Sequence, residues 1–178
     1  MAMEFLPHTP LTRRIDGLVS GIGPWLSYIW LVLLAAIVVN VLLRYAFNEG
    51  RIEFEELQWH LYSIGFLLGL SYAYQADSHI RVDVLHDRFG PRIQAWIELY
   101  GILLFLLPFV ALVLIYAWPF VAASYALNEA SPSPGGLPAR WLIKAFLPIG
   151  FALLALSVLS RLIRVWRFLF FGEVADAS

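Results

Sequence analysis

Long apolar stretches alternate along the chain with short segments that hold nearly all of its charge. Four stretches contain no Asp, Glu, Lys or Arg, and they cover residues 17–43, 57–76, 99–128 and 145–160. A helix needs about 20 apolar residues to cross a hydrocarbon core of about 30 Å. Three stretches meet that length, and the fourth does so if its helix starts at Trp141 and the Lys144 amine extends to the interface. The pattern predicts four membrane-spanning helices, at about 25–43, 57–76, 96–123 and 141–160.

The segments outside these spans predict what lies at the membrane surface. Apolar residues gather on one side of a helix drawn over residues 78–89, opposite Arg81 and Arg88. An amphipathic helix of this kind lies in the plane of the interface. The first 14 residues are expected to form a loosely held tail, and Asp16 is placed to cap a short interfacial piece ahead of the first span. Residues 128–138 are dense in Pro and Gly, which predicts an ordered loop outside the hydrocarbon.

The distribution of Lys and Arg predicts the orientation of the chain. The N-terminal tail, the segment between the second and third spans, and the C-terminal tail together carry eight of these residues. The two segments on the other side carry four. Cytoplasmic segments of membrane proteins are enriched in Lys and Arg, so both termini are predicted to face the cytoplasm.

Composition narrows the class of protein further. The chain is 61% hydrophobic and 14% charged, with a mean hydropathy of +0.75, whereas a soluble domain is about half apolar and a quarter charged. A net charge of −1 argues against a nucleic-acid partner, because phosphate binding depends on clustered Lys and Arg. The absence of cysteine excludes disulfides, thiol catalysis and Cys-ligated metals. The sequence is interpreted as one all-α integral membrane domain, residues 1–178, whose first span is a retained helix.

The predicted spans lack the side chains that an autonomous transporter or an enzyme would need. Ion-coupled transporters place ionisable residues deep in their helices, and none lies near the middle of a span here. The deepest polar side chains are Asn40, Ser63, Ser71, Ser124 and Ser157. Inverted repeats and paired broken helices, which build midplane sites, are also not apparent. We therefore expect no catalytic site and no cofactor.

The start of the second span combines acidic side chains with a histidine. Membrane cytochromes take haem ligands from facing helices within the apolar core, and His60 is the only histidine in a span, near its end. An interfacial histidine is the favoured interpretation of His60. A solvated helix start is preferred to metal binding by Glu53, Glu55, Glu56 and His60, the last two of which lie one turn apart. Arg44 either anchors the first span at the headgroups or pairs with Glu55 or Glu56. These two interpretations of Arg44 are compatible.

Several short motifs occur in order along the chain, namely Arg44-Tyr-Ala-Phe-Asn48, Glu55-Glu56, Ala73-Tyr74, Asp77-Ser-His-Ile-Arg-Val-Asp83, Gly135-Gly-Leu-Pro138, Lys144 and Pro148-Ile-Gly150. Together they resemble the small membrane subunit, of DctQ type, of the tripartite ATP-independent periplasmic (TRAP) transporters. The likeness covers nearly everything from the first span to Arg164. The last three motifs are similar to the branch of the family associated with keto or aromatic acids.

This resemblance implies a function for a chain without a site of its own. In such a system a soluble periplasmic protein captures an organic acid, and a large membrane permease subunit carries it inward with sodium. The small subunit, in the bacterial inner membrane among its lipids, scaffolds the large one and helps to form the docking surface for the binding protein. Candidate residues for the subunit interface or for docking are Arg44, Asn48, Glu55, Glu56, His79, Arg81 and Asp83.

Two other functions remain open from the sequence. One is a membrane-anchor subunit of a haem- or quinone-linked redox complex, which Soret absorbance of the purified protein would reveal. The other is a small self-sufficient transporter that works as a homodimer, which reconstitution of this chain alone would test.

Overall fold

The computed structural model describes residues 5–78 and 89–172, and all regular structure within them is helical. There are four helices in these ranges: α1 (Pro10–Ala46), α2 (Ile52–Gln75), α3 (Pro91–Ala126) and α4 (Trp141–Phe171). The helix α3 contains one π-helical stretch, Ile102–Leu106. Apart from its two end residues, the amphipathic helix predicted over 78–89 lies outside the described residues.

Three of the four helices are long and apolar enough to cross a membrane, namely α1, α3 and α4. Helix α2 has 24 residues, which at about 1.5 Å per residue also reaches across the hydrocarbon core. Its first half carries several polar side chains, including Gln58 and His60, and these make α2 less apolar than the other three. The prediction of an all-helical membrane protein is confirmed, and the count of four spans stays a prediction.

The start of α1 differs from the prediction. The helix begins at Pro10 with Thr9 as its N-cap, where the Thr12 amide donates to the Thr9 hydroxyl at 3.1 Å and the Thr9 amide donates to the Thr12 hydroxyl at 2.8 Å. This reciprocal capping box, with Pro at the first helical position, is a strong start signal. Asp16 therefore lies inside a continuous helix and does not cap one. The expected loose tail is also wrong from residue 5 onward, because Leu6 is fully buried.

A proline accounts for the π-helical stretch in α3. Pro108 has no amide hydrogen, and its ring clashes with the carbonyl four residues earlier, so a regular α-helix cannot pass through it undisturbed. The π-helical stretch Ile102–Leu106 ends just before Pro108, where one wider turn relieves that conflict. Pro119 lies further along the same helix.

Helix α4 is the centre of the packing. It contacts α1, α2 and α3, whereas α3 packs mainly against α4. A Cβ built on Gly150 of α4 would lie 2.7 Å from the Leu67 carbonyl oxygen of α2, so the two backbones approach too closely for any side chain there. Two apolar clusters form along α4. One surrounds Phe151 and Val158 in the middle of the helix, and the other surrounds Val165 near its end.

Candidate functional site

A buried arginine near the end of α4 binds carboxylates from two other elements. The Arg161 guanidinium places Nη2 2.8 Å from Asp77 Oδ1 and Nε 3.1 Å from Glu98 Oε1. The three side chains are only 8%, 6% and 13% exposed. Asp77 follows the end of α2, and Glu98 lies in the first turns of α3. The planar fork of an arginine suits two acceptors at once, so Arg161 ties α2, α3 and α4 together.

Asp16 of α1 joins the same end of the molecule. Its Oδ1 accepts a hydrogen bond from the Ser160 hydroxyl at 2.7 Å, and its backbone carbonyl accepts one from the Gln75 side-chain amide at 2.7 Å. The Arg164 Nη1 lies 3.9 Å from Asp16 Oδ2, and His8 Nδ1 lies 3.6 Å from the same oxygen. Burial lowers the pKa of His8, which keeps its imidazole largely neutral at pH 7.

These groups connect all four helices at one end, and we call five of them the charged clasp: Asp16, Asp77, Glu98, Arg161 and Arg164. Removing charges from water is costly, and mutual pairing with further hydrogen bonds is what makes such a cluster tolerable. Its groups are directed toward one another. The clasp therefore determines how the helices are held, and it offers little charge to an outside ligand.

At the opposite end of the bundle, Arg44 and Glu55 form an ion pair. The Arg44 Nη2 lies 3.0 Å from Glu55 Oε1, and the two side chains are 58% and 44% exposed. The sequence suggested either Glu55 or Glu56 as the partner of Arg44, and in the structure the partner is Glu55. An ion pair with this exposure contributes only about 0–1 kcal/mol, so it joins α1 to α2 weakly.

Glu56 faces the loop between α3 and α4, residues 127–140, which we call the α3–α4 loop. Its Oε1 accepts a hydrogen bond from the Ser131 hydroxyl, and its Oε2 accepts one from the Leu137 amide at 2.6 Å. A Cβ on Gly136 would lie 2.9 Å from Glu56 Oε1 and 2.4 Å from Ser131 Cβ, so only glycine fits there. The hydrogen bond from Ser131, followed by that from Leu137, lowers the pKa of Glu56.

A second carboxylate, Glu129, anchors the two ends of the α3–α4 loop to each other. Its side chain accepts a hydrogen bond from the Lys144 amine, and its backbone carbonyl accepts one from the Arg140 amide at 2.9 Å. The hydrogen bond from Lys144 lowers the pKa of Glu129. The Lys144 amine also lies 4.2 Å from the centre of the Phe120 ring. The loop is ordered, as its sequence predicted, because charged groups hold it from several sides.

The remaining predicted site residues have local roles or lie outside the described ranges. Asn48 adopts a φ of 55° directly after α1, and the following amide of Glu49 returns to the Leu43 carbonyl at 3.0 Å. Asn tolerates this left-handed conformation and ends the helix. His60 places Nδ1 2.5 Å from the Glu56 carbonyl of its own helix. His79, Arg81 and Asp83 are outside the residues that the structure describes, so their contacts are not described.

The sequence reasoning missed the charged clasp. It interpreted Arg161 and Arg164 only as cytoplasmic charges that orient the last span. The sequence did hold an indication of the clasp: Asp16, Asp77 and Glu98 lie at or near the ends of three predicted spans, on the same side as these two arginines. Across the two described ranges, no three His, Cys, Asp or Glu side chains are arranged to hold a metal ion.

Between the two polar ends, the described helices carry few polar side chains, and several serines among them are bound to backbone carbonyls. The Ser71 hydroxyl donates to the Leu68 carbonyl at 2.8 Å, and the Ser157 hydroxyl donates to the Leu153 carbonyl at 3.2 Å. The outward faces of α1 and α3 are apolar and exposed over most of their length. Among the most exposed side chains there are Trp25, Leu31, Leu34, Phe105, Phe109, Ile115, Tyr116 and Trp118.

Together these features define a helical membrane protein whose charged groups hold its own helices and whose apolar faces are turned outward. The family model described as "Tripartite ATP-independent periplasmic transporters, DctQ component" matches residues 23–168. A Haemophilus influenzae protein, named as a TRAP transporter small permease protein, is 30% identical over 138 residues, which cover 78% of this chain and 83% of that protein. The chain therefore belongs to the DctQ family, and the resemblance drawn from its motifs is confirmed. Members of this family are transporter subunits and not enzymes.

Proposed function

We propose that this chain is the small scaffold subunit of a sodium-coupled TRAP transporter that imports an organic acid across a bacterial inner membrane. Membership of the DctQ family supports the role of a transporter subunit. The observation that carries the scaffold role is the direction of the side chains. The clasp groups bind the chain's own helices, whereas apolar side chains of α1 and α3 face outward, where a large permease subunit and lipids would contact them.

The proposal includes four crossings with both termini in the cytoplasm. Helix α2 runs from the end that carries Glu55 to the end that carries Asp77, alongside α1 and α4, which supports a crossing by α2 as well. The excess of Lys and Arg on the clasp side supports its cytoplasmic location. Reporter tags at residues 1 and 178 should report cytoplasm, and a tag near Ser133 should report periplasm. A periplasmic C-terminus contradicts this topology.

Co-purification and reconstitution test the scaffold role directly. Co-expressed with the permease subunit from its own gene cluster, the tagged chain should retain that subunit through purification. The complex, with its soluble binding protein, should drive sodium-dependent uptake in liposomes, and this chain alone should drive none. We expect the substrate to be a keto or aromatic acid, on the similarity around Gly135 and Pro148. Robust uptake by the isolated chain contradicts the scaffold role.

The redox-anchor alternative is not favoured by the family match. The only histidine in α2, His60, is engaged by the Glu56 carbonyl of its own helix. A Soret band in the purified complex, titrating with this chain, would restore the alternative. A purified complex that has no Soret band and drives uptake supports the transporter function.

A further inference from the structure

The α3–α4 loop is held by several hydrogen bonds, although residues 127–140 contain no helix or strand. The Ser131 amide donates to the Leu137 carbonyl at 3.1 Å, which closes residues 131–137 into a compact turn. Within it, the Gly136 amide donates to the Ser133 carbonyl at 2.9 Å, and Gly135 has a φ of 78°. Three exposed prolines, Pro132, Pro134 and Pro138, restrict the backbone further.

Glu56 holds this turn from α2. One carboxylate oxygen binds Ser131 and the other binds Leu137, so both oxygens are turned to the loop. The position of Gly136 against the same carboxylate leaves no room for adjustment. The charge of Glu56 is therefore used inside the chain. Its geometry is that of a group that positions the loop, whereas the sequence suggested it as a candidate for the subunit interface or for docking.

The outer surface of the loop combines rigid apolar residues with one free carboxylate. Pro132, Pro134 and Pro138 are exposed there. The Glu53 Oε1 lies 4.0 Å from the point where a Cβ on Gly135 would be, which places this carboxylate beside the tip of the turn. Glu53 is exposed and has no ion-pair partner among residues 5–78 and 89–172. This surface is complementary to a partner that presents a basic side chain beside a small apolar patch.

We propose that the α3–α4 loop is a preformed docking surface for the soluble substrate-binding protein, with Glu56 as its positioning residue and Glu53 as its contact for a basic side chain. This inference rests on the proposed function, because it needs the binding protein as partner. The loop lies beyond the apolar parts of α3 and α4, so it is accessible to a soluble protein. A docking contact must form and release in each transport cycle, and a preformed loop reduces the ordering cost of each encounter.

Two kinds of change separate positioning by Glu56 from direct contact. Glu56→Ala and Gly136→Ala should each weaken binding of the purified binding protein to the reconstituted two-subunit complex by about tenfold or more. Glu56→Gln should stay within about threefold of wild type, because the amide oxygen can accept from Leu137 and the amide nitrogen can donate to the Ser131 hydroxyl. The matched control is Glu49→Ala, an exposed carboxylate at the same end with its own partner.

A loss of binding in Glu56→Gln as large as in Glu56→Ala, with Gly136→Ala unaffected, would mean that the Glu56 charge touches the partner. That result overturns the positioning role. Glu53→Gln should weaken binding by about threefold at low salt and less at high salt, because exposed charges are screened. An effect of Glu53→Gln that does not change with salt contradicts the assigned contact.

Hydrogen exchange of residues 131–137 gives a second readout that does not require the partner. Exchange should rise in Glu56→Ala and Gly136→Ala and stay near wild type in Glu56→Gln. If exchange rises while the affinity for the binding protein is unchanged, the loop is not the docking surface. The yield of the complex with the permease subunit is measured in parallel. If the wild-type chain does not assemble with the permease subunit, the proposed function is contradicted. If the variants lose yield of that complex and affinity for the binding protein equally, the loop serves assembly of the two membrane subunits and not docking.

Discussion

Replacing Arg161 by Ala should destabilise the chain more than any other single charge removal among the described residues. The substitution removes the guanidinium that binds both Asp77 and Glu98, whose side chains are only 6% and 13% exposed. Breaking a buried ion pair by removing one partner costs about 3–5 kcal/mol, because the remaining charge is uncompensated. Arg161 serves two carboxylates, so we expect a loss in the upper half of that range. The effect should appear in every helix, since the clasp joins all four.

The assay is unfolding of the purified chain in mild detergent, followed by tryptophan fluorescence during titration with a denaturing detergent. Arg161→Lys should lower the free energy of unfolding by about half as much as Arg161→Ala does, since a single ammonium cannot bridge both carboxylates as a guanidinium does. Removing the two carboxylate charges that Arg161 binds, with Asp77→Asn and Glu98→Gln in the Arg161→Ala background, should recover part of the lost stability. The matched control is Arg51→Ala, an arginine in an exposed ion pair with Glu49 that is worth about 0–1 kcal/mol. Equal effects of Arg161→Ala and Arg51→Ala would refute the reasoning.

Three further predictions concern other parts of the molecule. Gly150→Ala should destabilise the chain by about 1–3 kcal/mol in the same unfolding assay, because a Cβ there meets a carbonyl of α2 at 2.7 Å, whereas Gly69→Ala, with nothing within 4 Å, should change little. A double-mutant cycle of Arg44→Ala and Glu55→Ala on the yield of the complex should give a coupling of at most about 1 kcal/mol, and a larger one would mean that the permease subunit buries the pair. The lowered pKa of Glu129 implies that its hold on the α3–α4 loop is complete above the ordinary value of 4.5 and is lost only as pH falls below it. Hydrogen exchange of the loop, corrected for intrinsic rate, should therefore be constant from pH 7 to 5 and rise in stronger acid.

Much of the fold follows from the distribution of charge along the chain. Stretches without charge predicted the apolar helices α1, α3 and α4, because a helix that crosses a bilayer needs about 20 predominantly apolar residues. The start of α1 was missed because the first 14 residues were expected to form a loose tail, whereas Thr9 and Pro10 together start the helix. Helix α1 also continues through Pro24, one residue before the predicted start of the first span.

The polar contacts were predicted only where they are local. The pairing of Arg44 with Glu55 spans 11 residues across one short connection, and the sequence suggested it. The bonds of Arg161 to Glu98 and Asp77 span 63 and 84 residues, and that of Glu56 to Leu137 spans 81. Such partners depend on which helix neighbours which, and that order is determined by the whole bundle. His79, Arg81 and Asp83 stay predictions.

The charged clasp also has a consequence for biosynthesis. Its acidic members on α1, after α2 and on α3 are all translated before either of its arginines. At about 5–20 residues per second, the 84 residues from Asp77 to Arg161 take several seconds to synthesise. During that interval the ribosome-bound chain holds carboxylates near the membrane without the cations that later neutralise them. Both arginines arrive with α4, so the contacts that join all four helices at this end can form only after the last helix has been made. A nascent chain truncated before Arg161 lacks both arginines of the clasp, a difference by which membrane quality control could distinguish it from a complete one.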